Sequence, residues 1–92
     1  MRISYDPAKN DRNIRLRGLS FDLVAGFAFE KAVYAVDQRM DYGETRFVAV
    51  GLLAGRLHVL CFTEEPDGIR VISLRKANAR EVKRHAKVQN DD

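Results

Sequence analysis

The sequence predicts an α+β fold: two N-terminal helices, an antiparallel sheet of about four strands, and a C-terminal helix. Three observations carry that prediction. Helix-capping signals stand near both ends of the chain. Four short apolar runs, rich in β-branched residues, fill the middle. The last three of these runs are separated by short turns, and short turns require antiparallel neighbours, because a parallel partner needs a long crossover. With 92 residues, a single domain over 1–92 is expected. Its helices should cover one sheet face and leave the other partly open.

Asp6-Pro7 reads as an N-cap followed by the first helical residue, where proline's missing N–H is not needed. The helix is expected to run to Leu16 or Arg17 and stop at Gly18, which suits a left-handed terminator. It is strongly polar, with Ile14 and Leu16 as its apolar anchors. Ser20 should cap a second helix, helped by Asp22 in the first turn. Phe21, Val24, Ala25 and Ala28 have the spacing of one buried helical face, which Phe27 widens.

Ala32 to Val36 reads as the first strand, and Asp37 to Gly43 as a polar loop. Glu44 to Leu53 is the second strand, with Glu44, Arg46, Val48 and Val50 on one face and Phe47 and Ala49 on the other. Ala54-Gly55 makes a tight connection to a third strand, Leu57 to Thr63. Glu65-Pro66-Asp67-Gly68 is a turn signal ahead of the fourth, Ile69 to Leu74. Asn78 and Glu81 have capping-box spacing and open the last helix, where Ala79, Val82 and Ala86 form a narrow apolar stripe among basic residues.

Composition excludes several classes. Apolar side chains make up 46% and charged ones 32%, a globular balance. No apolar run approaches the ~20 residues of a membrane span, and the N-terminus lacks the apolar stretch of a signal peptide, so a cytoplasmic protein with no membrane partner is expected. The single Cys61 excludes an internal disulfide and a thiolate metal site, and its apolar setting points to a buried thiol. Net charge is only +3, but its distribution is uneven. From Ile69 to Val88 seven basic residues face the single acid Glu81, a net of +6, whereas the first 68 residues carry nine basic and ten acidic side chains. Such a block calls for an anionic partner, nucleic acid first; a solvated basic helix face is the competing reading.

The order of short motifs resembles the BrnT-type toxins, which are similar in fold to RelE-like ribonucleases. The family pattern opens with a short strand followed by an aromatic-Asp-Pro step, a basic residue and Asn, here Tyr5-Asp6-Pro7, Lys9 and Asn13. Gly18-Leu19-Ser20-Phe21, Gly43-Glu44-Thr45-Arg46 and Gly55-Arg56-Leu57 follow. The pattern then reaches Thr63-Glu64, Arg70-Val71-Ile72-Ser73-Leu74-Arg75-Lys76-Ala77, and the helix start Arg80-Glu81. The match runs from about Tyr5 to His85. It departs at Arg17, where the family usually has His, and at His85, where it usually has Tyr. The resemblance implies an endoribonuclease toxin that inhibits translation. It also implies a cognate antitoxin of ribbon-helix-helix type that neutralises the toxin, within a heterotetramer that represses its own operon. RNA, on the ribosome or free, would be the substrate.

RNA cleavage without a metal needs no protein nucleophile, since the 2′-hydroxyl attacks. The protein must accept that proton, steady the pentavalent phosphorane and protonate the leaving 5′-oxygen. Arginine's fork matches phosphate oxygens, which makes Arg46, Arg70, Arg75 and Arg80 candidates, Arg75 first because it shares strand parity with Ser73. In a regular strand Arg70 should face away from Arg75. Ion pairs with Glu44, Glu64 or Glu81 are the structural alternative. His85, whose type titrates near neutrality, and the carboxylates Glu44 and Glu64 are candidates for proton transfer. His58, mid-strand, is expected to be packed or solvated. Lys9, Lys76, Lys83 and Arg84 would contact RNA. No cofactor is expected, and the acidic cluster Glu64, Glu65 and Asp67 reads as turn chemistry rather than a metal site. A non-catalytic RNA- or ribosome-binding module, and a protein-interaction domain whose basic helix docks an acidic partner, are the alternatives.

Overall fold

The computed structural model describes residues 1–90. Strand β1 (Arg2–Tyr5) leads into helix α1 (Pro7–Arg17), then two short 3₁₀ turns (Phe21–Gly26 and Phe29–Lys31). Strands β2 (Val33–Val36), β3 (Phe47–Leu53), β4 (Arg56–Glu65) and β5 (Gly68–Lys76) follow, and helix α2 (Ala79–Asn90) ends the described chain. No helix among the described residues is long and apolar enough to cross a membrane.

The sheet has five strands in the order β1-β5-β4-β3-β2, and it is mixed. This corrects the expected four-stranded antiparallel sheet. Strands β2 to β5 are antiparallel neighbours as their short turns require, but β1 adds a parallel edge beside β5, from Arg2 opposite Gly68 to Tyr5 opposite Val71. Parallel pairing is possible there because most of the chain separates the two strands. Gly68 is required by that pairing: a Cβ on it would lie 1.8 Å from the Arg2 carbonyl oxygen. At the β3–β4 hairpin Ala54 and Gly55 both have positive φ, 51° and 78°, the signature of a tight two-residue turn.

Helix α1 starts and stops where its caps predict: the Asp6 side chain accepts from the Ala8 N–H, and Gly18 is left-handed at φ 71°. Its anchors are not the expected ones. Ile14 and Leu16 are exposed, and Asn10 and Asn13 are buried instead. Asn10 Oδ1 accepts from the Phe21 N–H at 2.8 Å, and Asn13 Nδ2 donates to the carbonyls of Leu19 (2.8 Å) and Leu74 (3.0 Å). The helix is thus fastened by amide side chains to the next turn and to the edge of β5 that β1 leaves uncovered.

The predicted second α-helix is replaced by the two 3₁₀ turns. Phe21, Val24 and Phe27 are buried while Ala25 is exposed, which is a spacing of three, not 3.6. These three residues close one sheet face over Ala49, Leu53, Leu60, Phe62, Ile69, Val71 and Leu74, the principal core. The opposite face carries a smaller apolar cluster of Leu57, Val59 and Ala77 beside Val48 and Val50. The alternation expected in β3 is therefore correct, although the strand begins at Phe47 and leaves Glu44 and Arg46 in the preceding loop.

The α2 stripe is a further correction. Val82 is 47% exposed, and Ala79 and Ala86 are exposed too. The helix is held at its start by the capping box, in which Asn78 Oδ1 accepts from the Glu81 N–H at 2.8 Å and Glu81 Oε1 accepts from the Asn78 N–H at 2.9 Å. Glu81 and His85, one turn apart, are the half-buried side of α2.

Candidate functional site

A β-bulge decides the geometry of the candidate site. Ser73 pairs with Cys61 and Val71 with Phe62, so Ile72 is an extra residue in β5 without an opposite number in β4. The extra residue reverses the alternation. Arg70 lies opposite Thr63, Ser73 opposite Cys61 and Arg75 opposite Val59, and these three β4 residues share one face. Arg70, Ser73 and Arg75 therefore share a face as well, which overturns the expectation that Arg70 turns away from Arg75. Their face is the one opposite the principal core.

Arg75 is not free on that face. It forms a two-pronged ion pair with Glu81, Nη1 to Oε1 at 2.7 Å and Nη2 to Oε2 at 2.8 Å. The Arg75 guanidinium holds the Glu81 carboxyl at about 2, well below the usual carboxylate range, and burial opposes the shift. Of the expected ion-pair alternatives for the arginines, two exist: this one, and a loose contact of 3.7 Å between Arg46 Nε and Glu44. The Arg75–Glu81 pair also fastens α2 to the sheet.

Arg46 enters from the loop before β3. Its carbonyl accepts from the Asp37 N–H at 2.7 Å, and its guanidinium carbon lies 3.8 Å from the centre of the Tyr42 ring. The same loop contributes residues that the sequence did not single out. Asp37 is buried, is gripped by Arg39 through Nε (2.9 Å) and Nη2 (2.8 Å), and accepts from Tyr42. Arg39 holds its carboxyl far below the carboxylate range. Cys61 lies beneath: burial pushes its thiol up, Asp37 adds to this, and Arg46, Arg39 and Lys9 oppose it. Lys9 of α1 lines a groove together with Ser73. Arg39 and Tyr42 sit in a stretch without periodicity, and only the Asp37-x-Arg39 spacing of a side-chain turn hints at their local fold.

Among the described residues, two buried side-chain polar atoms have no hydrogen-bond partner, Arg46 Nε and His85 Nε2. Both belong to residues that the sequence nominates for chemistry. Buried polar atoms are nearly always satisfied, so two orphans within this set ask for a functional explanation.

Other nominated residues fall elsewhere. Glu64, opposite Ile69, lies on the core face, where it lines a small hollow with Tyr34, Phe47 and Phe62. Lys76, opposite His58, is also on that face. His58 itself is buried, with Nδ1 2.8 Å from the Arg56 carbonyl. Arg80, Lys83 and Arg84 are exposed on α2, and Arg84 lies close enough to Glu81 to favour its charged form. The acidic turn cluster diverges: Glu65 accepts from Ser4, Asp67 faces Arg2, and Glu64 points to the other side.

The geometry is that of an arginine-rich sheet face with a basic helix fastened to it by the Arg75–Glu81 pair, and the half-buried side of that helix carries His85. A comparison with curated proteins finds no match. The model of one protein family, described as the ribonuclease toxin BrnT of type II toxin–antitoxin systems, matches residues 5–81. The match covers most of the chain and spans both the arginine-bearing strand and the cap of the final helix, and on it the chain belongs to the BrnT family of ribonuclease toxins, whose toxin–antitoxin class implies a cognate antitoxin as partner.

Proposed function

We propose that the chain is an endoribonuclease that cleaves RNA by attack of the substrate's own 2′-hydroxyl, without a metal, on the sheet face bearing Arg70, Ser73 and Arg75. The observation that carries this reading is the pair of orphaned nitrogens, Arg46 Nε and His85 Nε2, in residues associated with that face. A phosphate seated there would offer acceptor oxygens to Arg46, whose buried Nε has only the loose Glu44 contact, and the His85 imidazole, once uncovered by substrate, would take or give the proton that the reaction moves. Arg75 and Arg46 would steady the phosphorane, and Arg70 and Arg80 would neutralise flanking charge. Arg75 would meet phosphate by sharing its fork with Glu81, which keeps it extended over the face. Glu44 stays a carboxylate alternative to His85, while Glu64, on the far face, is left out. Lys9, Lys83 and Arg84 would hold the strand by charge.

The antitoxin would be of the ribbon-helix-helix type, joined with the toxin in a heterotetramer, and translation would be the process inhibited, with ribosome-bound or free mRNA as substrate. Expression without an antitoxin should arrest growth, and purified protein should cut RNA in excess EDTA, leaving 2′,3′-cyclic phosphate or 3′-phosphate ends. Intact RNA in the presence of folded protein, together with retained RNA binding, would instead identify a non-catalytic binding module.

A further inference from the structure

A groove of about 250 Å³ lies between α1 and β5, at the edge of β5 that β1 does not cover. Helix α1 lines it with Lys9, Arg12 and Arg17, and among the described residues no carboxylate joins them. Lys9 and Arg12 are three residues apart, so they are neighbours on one helix face, and like charges at that spacing repel. Among the described residues neither takes part in an ion pair, and Arg17 makes only long hydrogen bonds, to Asn13 (3.4 Å) and to the Leu74 carbonyl (3.5 Å). The apolar surface is supplied by Leu16, 65% exposed, and by the bulge residue Ile72. Ser73 closes the groove, and it is also the middle member of the Arg70, Ser73, Arg75 row. The groove and the proposed cleavage face thus meet at one residue.

We infer that this groove is a subsite for single-stranded RNA, holding a nucleotide next to the one cleaved. Its backbone phosphate lies among Lys9, Arg12 and Arg17, and its base or ribose rests on Leu16 and Ile72. The chemistry fits both parts of a nucleotide: three unneutralised cations converge for the anion, and an exposed aliphatic platform beside them suits an unpaired base. The bulge is what connects the two sites, because it turns Ser73 onto the arginine face while Ile72 takes the wall of the groove. This inference rests on the ribonuclease reading for the meaning of the adjacent face, but binding in the groove can be measured without cleavage.

The test uses the full chain and a labelled single-stranded RNA of about 12 nucleotides carrying 2′-O-methyl groups, which removes the attacking hydroxyl. The variants are Arg12→Ala with Arg17→Ala in one protein, and Arg15→Ala with Arg56→Ala as a charge-matched control away from the groove, both checked for native circular dichroism. The groove variant should bind about tenfold more weakly, with the slope of log affinity against log salt reduced by about one, and the control should stay within about twofold. On cleavable RNA the groove variant should raise KM about tenfold with kcat little changed, whereas Arg75→Ala should lower kcat. Equal weakening in groove and control variants, or an unchanged salt slope in the groove variant, overturns the subsite even if the wild-type protein cuts RNA. Wild-type protein that binds the methylated RNA through the groove but cuts no unmodified RNA overturns the ribonuclease reading and leaves the subsite standing.

Discussion

The two faces of the sheet are built from the same strands and have opposite characters. On one, Ala49, Leu60, Val71 and Leu74 are fully buried under Phe21, Val24 and Phe27, and Tyr5 seals the edge by donating to Asp22 at 2.7 Å. On the other, the apolar cluster is small and charged groups gather: Arg75 with Glu81, Arg39 with Asp37, and Arg46 over Tyr42. The contrast separates two tasks. The first face carries the hydrophobic free energy that a short chain needs. The second is left to polar and charged groups paired with near neighbours, which suits the RNA-binding role proposed for it. The bulge at Ile72 belongs to this division, since it gathers β5's arginines on the polar face without moving Val71 or Leu74 out of the core.

The strongest way to break the contrast is to damage the covered face. Phe21→Ala removes a ring that is 1% exposed and should cost about 3–5 kcal/mol, a large part of the stability of a chain this size, read as a lower urea midpoint. A loss below about 1 kcal/mol would mean that this face is not the principal core. On the other face, Arg75→Ala should lower the cleavage rate about 100-fold or more, roughly 3 kcal/mol of transition-state stabilisation, while stability falls by only about 1–2 kcal/mol because the pair is partly solvated. The reverse outcome, full activity with a detached final helix seen by amide exchange, would make Arg75 a strut for α2.

Acid should divide the two faces as well. The Glu81 carboxyl is held at about 2 in the folded chain against 4.5 ordinarily, so the unfolded chain binds its proton first as pH falls. The stability that the Arg75 pair contributes is then complete above about pH 4.5 and is lost on the way down to about pH 2. After allowance for solvent screening the loss is on the order of 1–2 kcal/mol, and Glu81→Gln should flatten that part of the pH–stability curve. If the variant and the parent follow the same curve, the pair does not contribute in solution. The smallest effect is expected at the hairpin, remote from both questions: Ala54→Asn should stabilise by about 0.5–1 kcal/mol, because Ala54 sits at φ 51° and asparagine tolerates that conformation better. A destabilised variant would show that the turn is held by something other than its own backbone preference.

Much of the fold was legible because it is local. Asp6-Pro7, Gly18, Asn78 with Glu81, and the Glu65 to Gly68 turn all act through hydrogen bonds a few residues long, and each ends or begins an element where it should. The parity of β3 followed from its alternation, while the nomination of Arg46, Arg75 and His85 rested on residue chemistry. Less local features were misread. Two asparagines, not two aliphatic residues, fasten α1, because their partners are carbonyls and an N–H in other elements. The Phe21–Phe27 stretch fits helical spacings of three and four alike, and its packing onto the sheet selects three.

The amino-acid sequence by itself determined where the helices cap, where the chain turns, which strand faces are apolar, and that cationic charge collects toward the end of the chain. Each of these is a property of a few adjacent residues. The tertiary structure alone decided that β1 pairs parallel to β5, that Ile72 bulges, and that Arg70, Ser73 and Arg75 consequently share a face. Register between distant strands is chosen by the summed packing and hydrogen bonding of both partners, and no single segment carries that information.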